Sequence, residues 1–152
     1  MKRFEYRLET VLDYKTQVLD NLKTEHAAIM QNVNRKQEQI RGLKRELTGY
    51  ESGFDQIKTE GATIENYRLF DMCIGRMETI IDEEKERLSV LRKQEDRKKQ
   101  EVIEAKVDTS RYEKLKDRKL REYQKAVAKA DEMFIEEFVS SAAIRMRHQH
   151  RG

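Results

Sequence analysis

Lys58-Thr59-Glu60-Gly61-Ala62-Thr63 interrupts an otherwise continuous helical pattern, and its reading decides the fold. Gly61 can take the left-handed conformation that ends a helix. Thr63 offers a side-chain oxygen to cap the first turn of the next one. The spacing on either side predicts helix one over about 2–57, a tight turn over about 58–63, and helix two over about 64–145. A flexible basic tail completes the chain at 146–152, and the whole reads as one domain, 1–152. Gly49 and Gly53 weaken the end of helix one and are read as solvent-facing positions of small cost.

Upstream of the turn, one stripe runs Phe4, Leu8, Val11, Lys15, Val18, Leu22, His26, Ile29, Val33, Lys36, Ile40, Leu43, Leu47, Tyr50, Phe54, Ile57. Only Lys15, His26 and Lys36 in it are neither apolar nor tyrosine, so steps of three and four mark a heptad seam and not a strand. Val18 to Leu22 to His26 steps by four twice, which reads as a stutter. Downstream the stripe is Ile64, Tyr67, Phe70, Ile74, Met77, Ile81, Glu84, Leu88, Leu91, Glu95, Lys98, Val102, Ala105, Thr109, Tyr112, Lys116.

Two antiparallel helices joined by a turn must keep a constant sum of residue numbers across their seam. Ile57 with Ile64, Phe54 with Tyr67, Leu47 with Ile74 and Ile40 with Ile81 all add to 121, and Tyr50 with Phe70 and Leu43 with Met77 to 120. The same rule sets Lys36 opposite Glu84 and His26 opposite Glu95, so the polar positions of both stripes coincide with complementary chemistry. The expected fold is therefore all-α: two long helices in an antiparallel coiled-coil hairpin, the second longer than the first. Phe4 falls opposite about Lys116, beyond which Leu120, Tyr123, Val127, Ala130, Phe134 and Phe138 continue the stripe with no partner in this register. An unpartnered apolar stripe marks a binding surface.

Composition supports this reading. Of 152 residues, 40% are charged, 37% are hydrophobic and none is proline. An ordinary globular domain is roughly 25% charged and about 45–50% apolar, so a core able to shelter an active site is not expected. Lys plus Arg number 32 against 29 Asp plus Glu, interleaved as in Asp82-Glu83-Glu84-Lys85-Glu86-Arg87. That is the pattern of solvated helix faces and argues against nucleic-acid binding. No run approaches the ~18 apolar residues of a membrane span, charge recurs too early in the first residues for a signal peptide, and lone Cys73 suits a reducing compartment. The expected place is the cytoplasm.

The residues of catalysis do not assemble. There is no glycine-rich phosphate loop. Cys73, beside the seam, reads as a packed thiol. His148-Gln149-His150 lacks further metal ligands nearby, and His26 with Glu95 reads as a polar seam layer because a bare coiled coil offers no pocket. No enzyme activity, cofactor or metal is expected.

Four segments carry a family resemblance: Phe4-x-Tyr6-x-Leu8-x-x-Val11-Leu12 at the start, Glu65-Asn66-Tyr67-x-x-Phe70 after the turn, Tyr112-x-x-Leu115-Lys116-x-Arg118-Lys119-x-x-x-Tyr123, and Glu137-Phe138-x-x-x-Ala142-Ala143-x-Arg145. Their order and the unequal hairpin resemble the FliJ family, small cytoplasmic coiled-coil proteins of the bacterial flagellar type III export apparatus. The resemblance implies a non-catalytic stalk and adaptor, similar to the central stalk of rotary ATPases. Its partners would be the flagellar export ATPase hexamer, whose ring assembly it promotes, the membrane export gate protein and export chaperones. The membrane would be reached only through them, at its inner face. Carried onto this chain, the resemblance implies ATPase contact at the termini end through Arg118, Lys119, Tyr123, Val127, Phe134 and Phe138, with Arg121 also facing acidic surfaces. It implies gate contact near the turn through Tyr67 and Phe70, although both also lie in the seam. The equivalent stalk of a virulence type III system and a generic coiled-coil chaperone or scaffold remain alternatives.

Overall fold

The computed structural model describes residues 2–150 and consists of α1 (Glu9–Glu60) and α2 (Ile64–His150). Both are long helices that pack against each other, and α2 is the longer, with 87 residues against 52. By their contacts the residues group into two units. One spans Leu19–Glu104 and holds the turn; the other takes the chain up to Val18 and from Ala105 onward.

In the turn-bearing unit the polypeptide reverses as the sequence predicts. Gly61 has φ +84° and its N–H donates to the Ile57 carbonyl at 2.8 Å. The Thr63 hydroxyl accepts from the Asn66 N–H at 3.3 Å, capping α2. Tyr67 adds a lock by donating its hydroxyl to the same Ile57 carbonyl at 2.9 Å. Phe54 packs edge-on against Tyr67, with ring centres 6.2 Å apart. Gly53 is not a solvent-facing position: a Cβ there would come within 2.9 Å of the Phe70 ring, so the missing side chain makes room for that ring beside Phe54. Gly49 has open space around it, as expected.

Further along this unit Leu19, Val33, Ile40, Met77 and Ile81 are buried. Both polar layers form. Lys36 Nζ lies 2.6 Å from Glu84 and His26 Nε2 lies 2.8 Å from Glu95. Glu84, 6% exposed, also accepts from Arg87. The two cations hold its charge inside the seam, Lys36 by the stronger hydrogen bond, and its carboxyl sits below the usual carboxylate range. Glu95 is lowered likewise, first by the hydrogen bond from His26.

Every member of both predicted stripes is buried or half-buried except Tyr50 and Ile64. One detail differs. Leu12 and Leu19, 7% and 8% exposed, are the buried positions where Val11 and Val18 were expected, and those two valines are only half-buried. With Leu12 and Leu19 in the seam, steps of four and three alternate from Leu8 to Ile57, and the stutter disappears.

The helix ends are corrected at both termini. Helix one begins at Glu9, not near residue 2, and ends at Glu60, not 57. The preceding residues form a non-helical arm because their aromatic side chains are engaged on α2. Phe4 packs against Tyr123 with ring centres 5.5 Å apart, and the Tyr6 hydroxyl donates to the Tyr112 carbonyl at 3.0 Å. Non-helical backbone can span up to about 3.3 Å per residue against 1.5 Å in a helix. That reach carries Phe4 past Lys116, its expected neighbour, to Tyr123. Lys116 pairs instead with Glu9 at 2.8 Å. At the other end α2 runs to His150 where a flexible tail from 146 was expected; residues 151–152 of that tail lie outside the described residues. Ala142, Ala143, Arg145, Met146 and Arg147 contain no helix breaker, and the basic last turn suits the negative end of the helix dipole.

Candidate functional site

The sequence singles out two places, the far part of α2 and the residues after the turn. The first divides into a covered and a bare stretch. Tyr123, expected to lack an intramolecular partner, has one: its ring meets Phe4 and its hydroxyl donates to the Lys2 carbonyl. Leu120 and Val127 are half-buried, while Arg118 and Lys119 are exposed, Lys119 lying 3.6 Å from Glu122. From Ala128 to His150 every residue is exposed.

Phe134 and Phe138 lead this bare stretch, 70% and 67% exposed. They line a shallow open groove with Glu137, Ser141, Ala142 and Arg145. Ile135, Val139, Ile144 and Met146 widen the apolar surface. Sequence reasoning passed over these four. Ile135 and Val139 stand one step beside the stripe, and their spacing of four was the available signal. Ile144 and Met146 fell at the edge of the assumed tail. A helix with so wide an exposed apolar face cannot lower its free energy further without a second surface. The stretch presents apolar side chains with acidic residues before and among them and basic residues after.

After the turn, Tyr67 and Phe70 are half-buried and structurally engaged, Tyr67 on the Ile57 carbonyl and Phe54, Phe70 over Gly53 and Phe54. The exposed apolar side chains nearby are Ile64, Leu69 and Met72. The structure thus assigns the two predicted contact residues to the seam and exposes neighbours the sequence reading did not name.

Among the described residues, no group of three or more His, Cys, Asp or Glu side chains is placed to hold a metal ion, and no helix is long and apolar enough to cross a membrane. His26 and Glu95 stand in the seam as the sequence analysis places them. Cys73 is a half-buried free thiol.

No curated protein and no solved structure matches this chain. The family model described as "Flagellar FliJ protein" matches residues 4–148, which takes in the N-terminal arm, the turn, both polar seam layers and the bare end of α2. The chain therefore belongs to the flagellar FliJ protein family, a non-catalytic component of the flagellar export apparatus.

Proposed function

We propose that this chain is a stalk and adaptor of the flagellar export apparatus that binds the export ATPase ring and stimulates it. The carrying observation is the bare apolar surface of α2 around Phe134 and Phe138. These side chains would enter the ring. Arg118, Lys119 and Arg121 lie on the stretch before them and would face acidic surfaces of the ATPase. Tyr123 and Val127 lie on the half-buried stretch before that surface, Tyr123 packed against Phe4, and would extend the contact from there.

The residues after the turn are the proposed contact with the membrane export gate protein. Tyr67 and Phe70 set the shape of that surface from the seam, and exposed Ile64, Leu69 and Met72 supply its apolar contacts. Export chaperones are further proposed partners. The place of action is the cytoplasm, at the inner face of the membrane and through these partners.

The test is hydrolysis by the cognate ATPase with and without this protein. Wild type should bind and stimulate. Phe134→Ala with Phe138→Ala should lose both while the helical signal of the free protein is unchanged. Equal binding and stimulation by that variant would remove the assignment. Saturable binding to many unfolded polypeptides, with none to the ATPase, would replace it with a general chaperone.

A further inference from the structure

Beyond Lys129, the charges on the bare part of α2 are sorted by sign. Asp131, Glu132, Glu136 and Glu137 come first, no charge occurs from Phe138 to Ile144, and Arg145, Arg147, His148 and His150 follow. The groove-lining positions Phe134, Phe138, Ser141 and Arg145 succeed one another at steps of four, three and four, on one helix face. In order they are large, large, small and basic.

A pattern of this kind is complementary to itself when reversed. Laid antiparallel on a copy with its midpoint between Val139 and Ser140, Phe138 meets the small Ser141 and Ala142, and Phe134 meets Arg145. Asp131 and Glu132 then fall opposite His148 and Arg147, while Glu136 and Glu137 fall opposite Ala143 and Ala142, just short of Arg145. Laid parallel, carboxylate falls on carboxylate and arginine on arginine, which is disfavoured. Glu137 and Arg145 are eight residues apart, about 12 Å along one helix, too far to satisfy each other within the chain. Both line the groove, and in this register Glu137 lies opposite Ala142, three residues or about 4.5 Å along the helix from Arg145 of the other copy, within reach of the two long side chains.

We propose that residues 130–149 of α2 form a self-association surface on which a second copy of the chain docks antiparallel, Phe138 of each copy seated on Ser141 and Ala142 of the other and Glu137 paired with Arg145. The pairing is isologous, so each contact occurs twice. A single helix pair of this length lies at the small end of specific interfaces, which bury about 1,200–2,000 Å². Association is therefore reversible and concentration-dependent. This inference goes beyond the ATPase reading and does not rest on it, because it concerns the isolated chain.

The experiment is sedimentation equilibrium of the full chain across micromolar concentrations. Wild type should rise from 18.2 kDa toward twice that mass. Glu137→Arg alone and Arg145→Glu alone should each weaken the association at least about tenfold. The two together should restore it, because the swapped charges again meet their opposites. Phe138→Ala should also weaken it. These residues are exposed, so the helical content of each variant should match wild type. Monomers at every concentration would overturn the proposal. So would a double variant no better than either single one, which would mean association of another geometry. Neither result would bear on ATPase stimulation, because no ATPase is present in the measurement.

Discussion

The unit Leu19–Glu104 and the end of α2 use the same kinds of residue at the same helical spacing, with opposite outcomes. In the first, Val33, Ile40, Met77 and Ile81 are buried and the polar positions are paired as Lys36 with Glu84 and His26 with Glu95. In the second, Phe134, Ile135, Phe138 and Val139 stay exposed, and acidic and basic residues are segregated along the helix. Amphipathic spacing therefore specifies only that a face needs cover. Whether the cover comes from the same chain decides whether the face contributes to stability or to recognition.

The largest expected effect separates the two regions directly. Ile81→Ala should destabilise the folded chain by about 2–4 kcal/mol, because it opens space in a covered seam. Phe134→Ala with Phe138→Ala should change stability by no more than about 0.5 kcal/mol, the usual range for exposed sites. Denaturant unfolding followed by circular dichroism checks both. Equal losses would mean that the bare end is covered within the chain after all.

The next effect concerns pH. Glu84 and Glu95 have folded pKa values below their unfolded ones, by hydrogen bonds from Lys36 and His26 respectively. Their stabilisation is complete above the ordinary carboxylate pKa of about 4.3 and is lost as pH falls through the depressed folded values. Lys15, Lys98 and Lys116 are raised, Lys15 by Asp108, Lys98 by Glu101 and Glu25, and Lys116 by Glu9. Their stabilisation holds below about 10.4 and fades as pH rises through the raised folded values. Thermal melting should thus fall at both extremes. Glu84→Gln with Glu95→Gln should flatten the acid limb and leave the alkaline limb in place. An acid limb as steep as that of wild type would assign the acid effect to other carboxylates.

The smallest effect tests the turn-bearing unit against itself. Gly49→Ala adds a methyl group in open space and should stabilise by about 0.5–1 kcal/mol through helix propensity. Gly53→Ala has the same propensity gain but pushes the methyl group into the Phe70 ring, so its net gain should be smaller or negative. Identical melting shifts for the two variants would show that the ring moves aside freely.

Much of this was legible from residue numbers alone. The constant sum across the seam located Lys36 against Glu84, His26 against Glu95 and Phe54 against Tyr67, because a heptad pattern and one short turn leave an antiparallel pair little choice of register. Gly61 and Thr63 were readable for a similar reason: a helix end and a helix start each need a particular backbone or side-chain partner. Among the candidate binding residues, Phe134 and Phe138 were legible as a continuing stripe. The covering of Tyr123 was not, because it comes from an arm whose own residues carry no helix-breaking signal.

The one-dimensional pattern thus fixed spacing, order and sign: two stripes, one reversal, paired polar layers and a surplus of apolar residues on the longer helix. Contact in three dimensions chose among side chains the pattern treats alike. It put Leu12 and Leu19 rather than Val11 and Val18 in the seam, gave Gly53 to the Phe70 ring, and drew Phe4 and Tyr6 onto α2 in place of a first helical turn. Periodicity depends on helix geometry, which every residue shares, whereas these choices depend on the shape of a particular neighbour, which spacing does not encode.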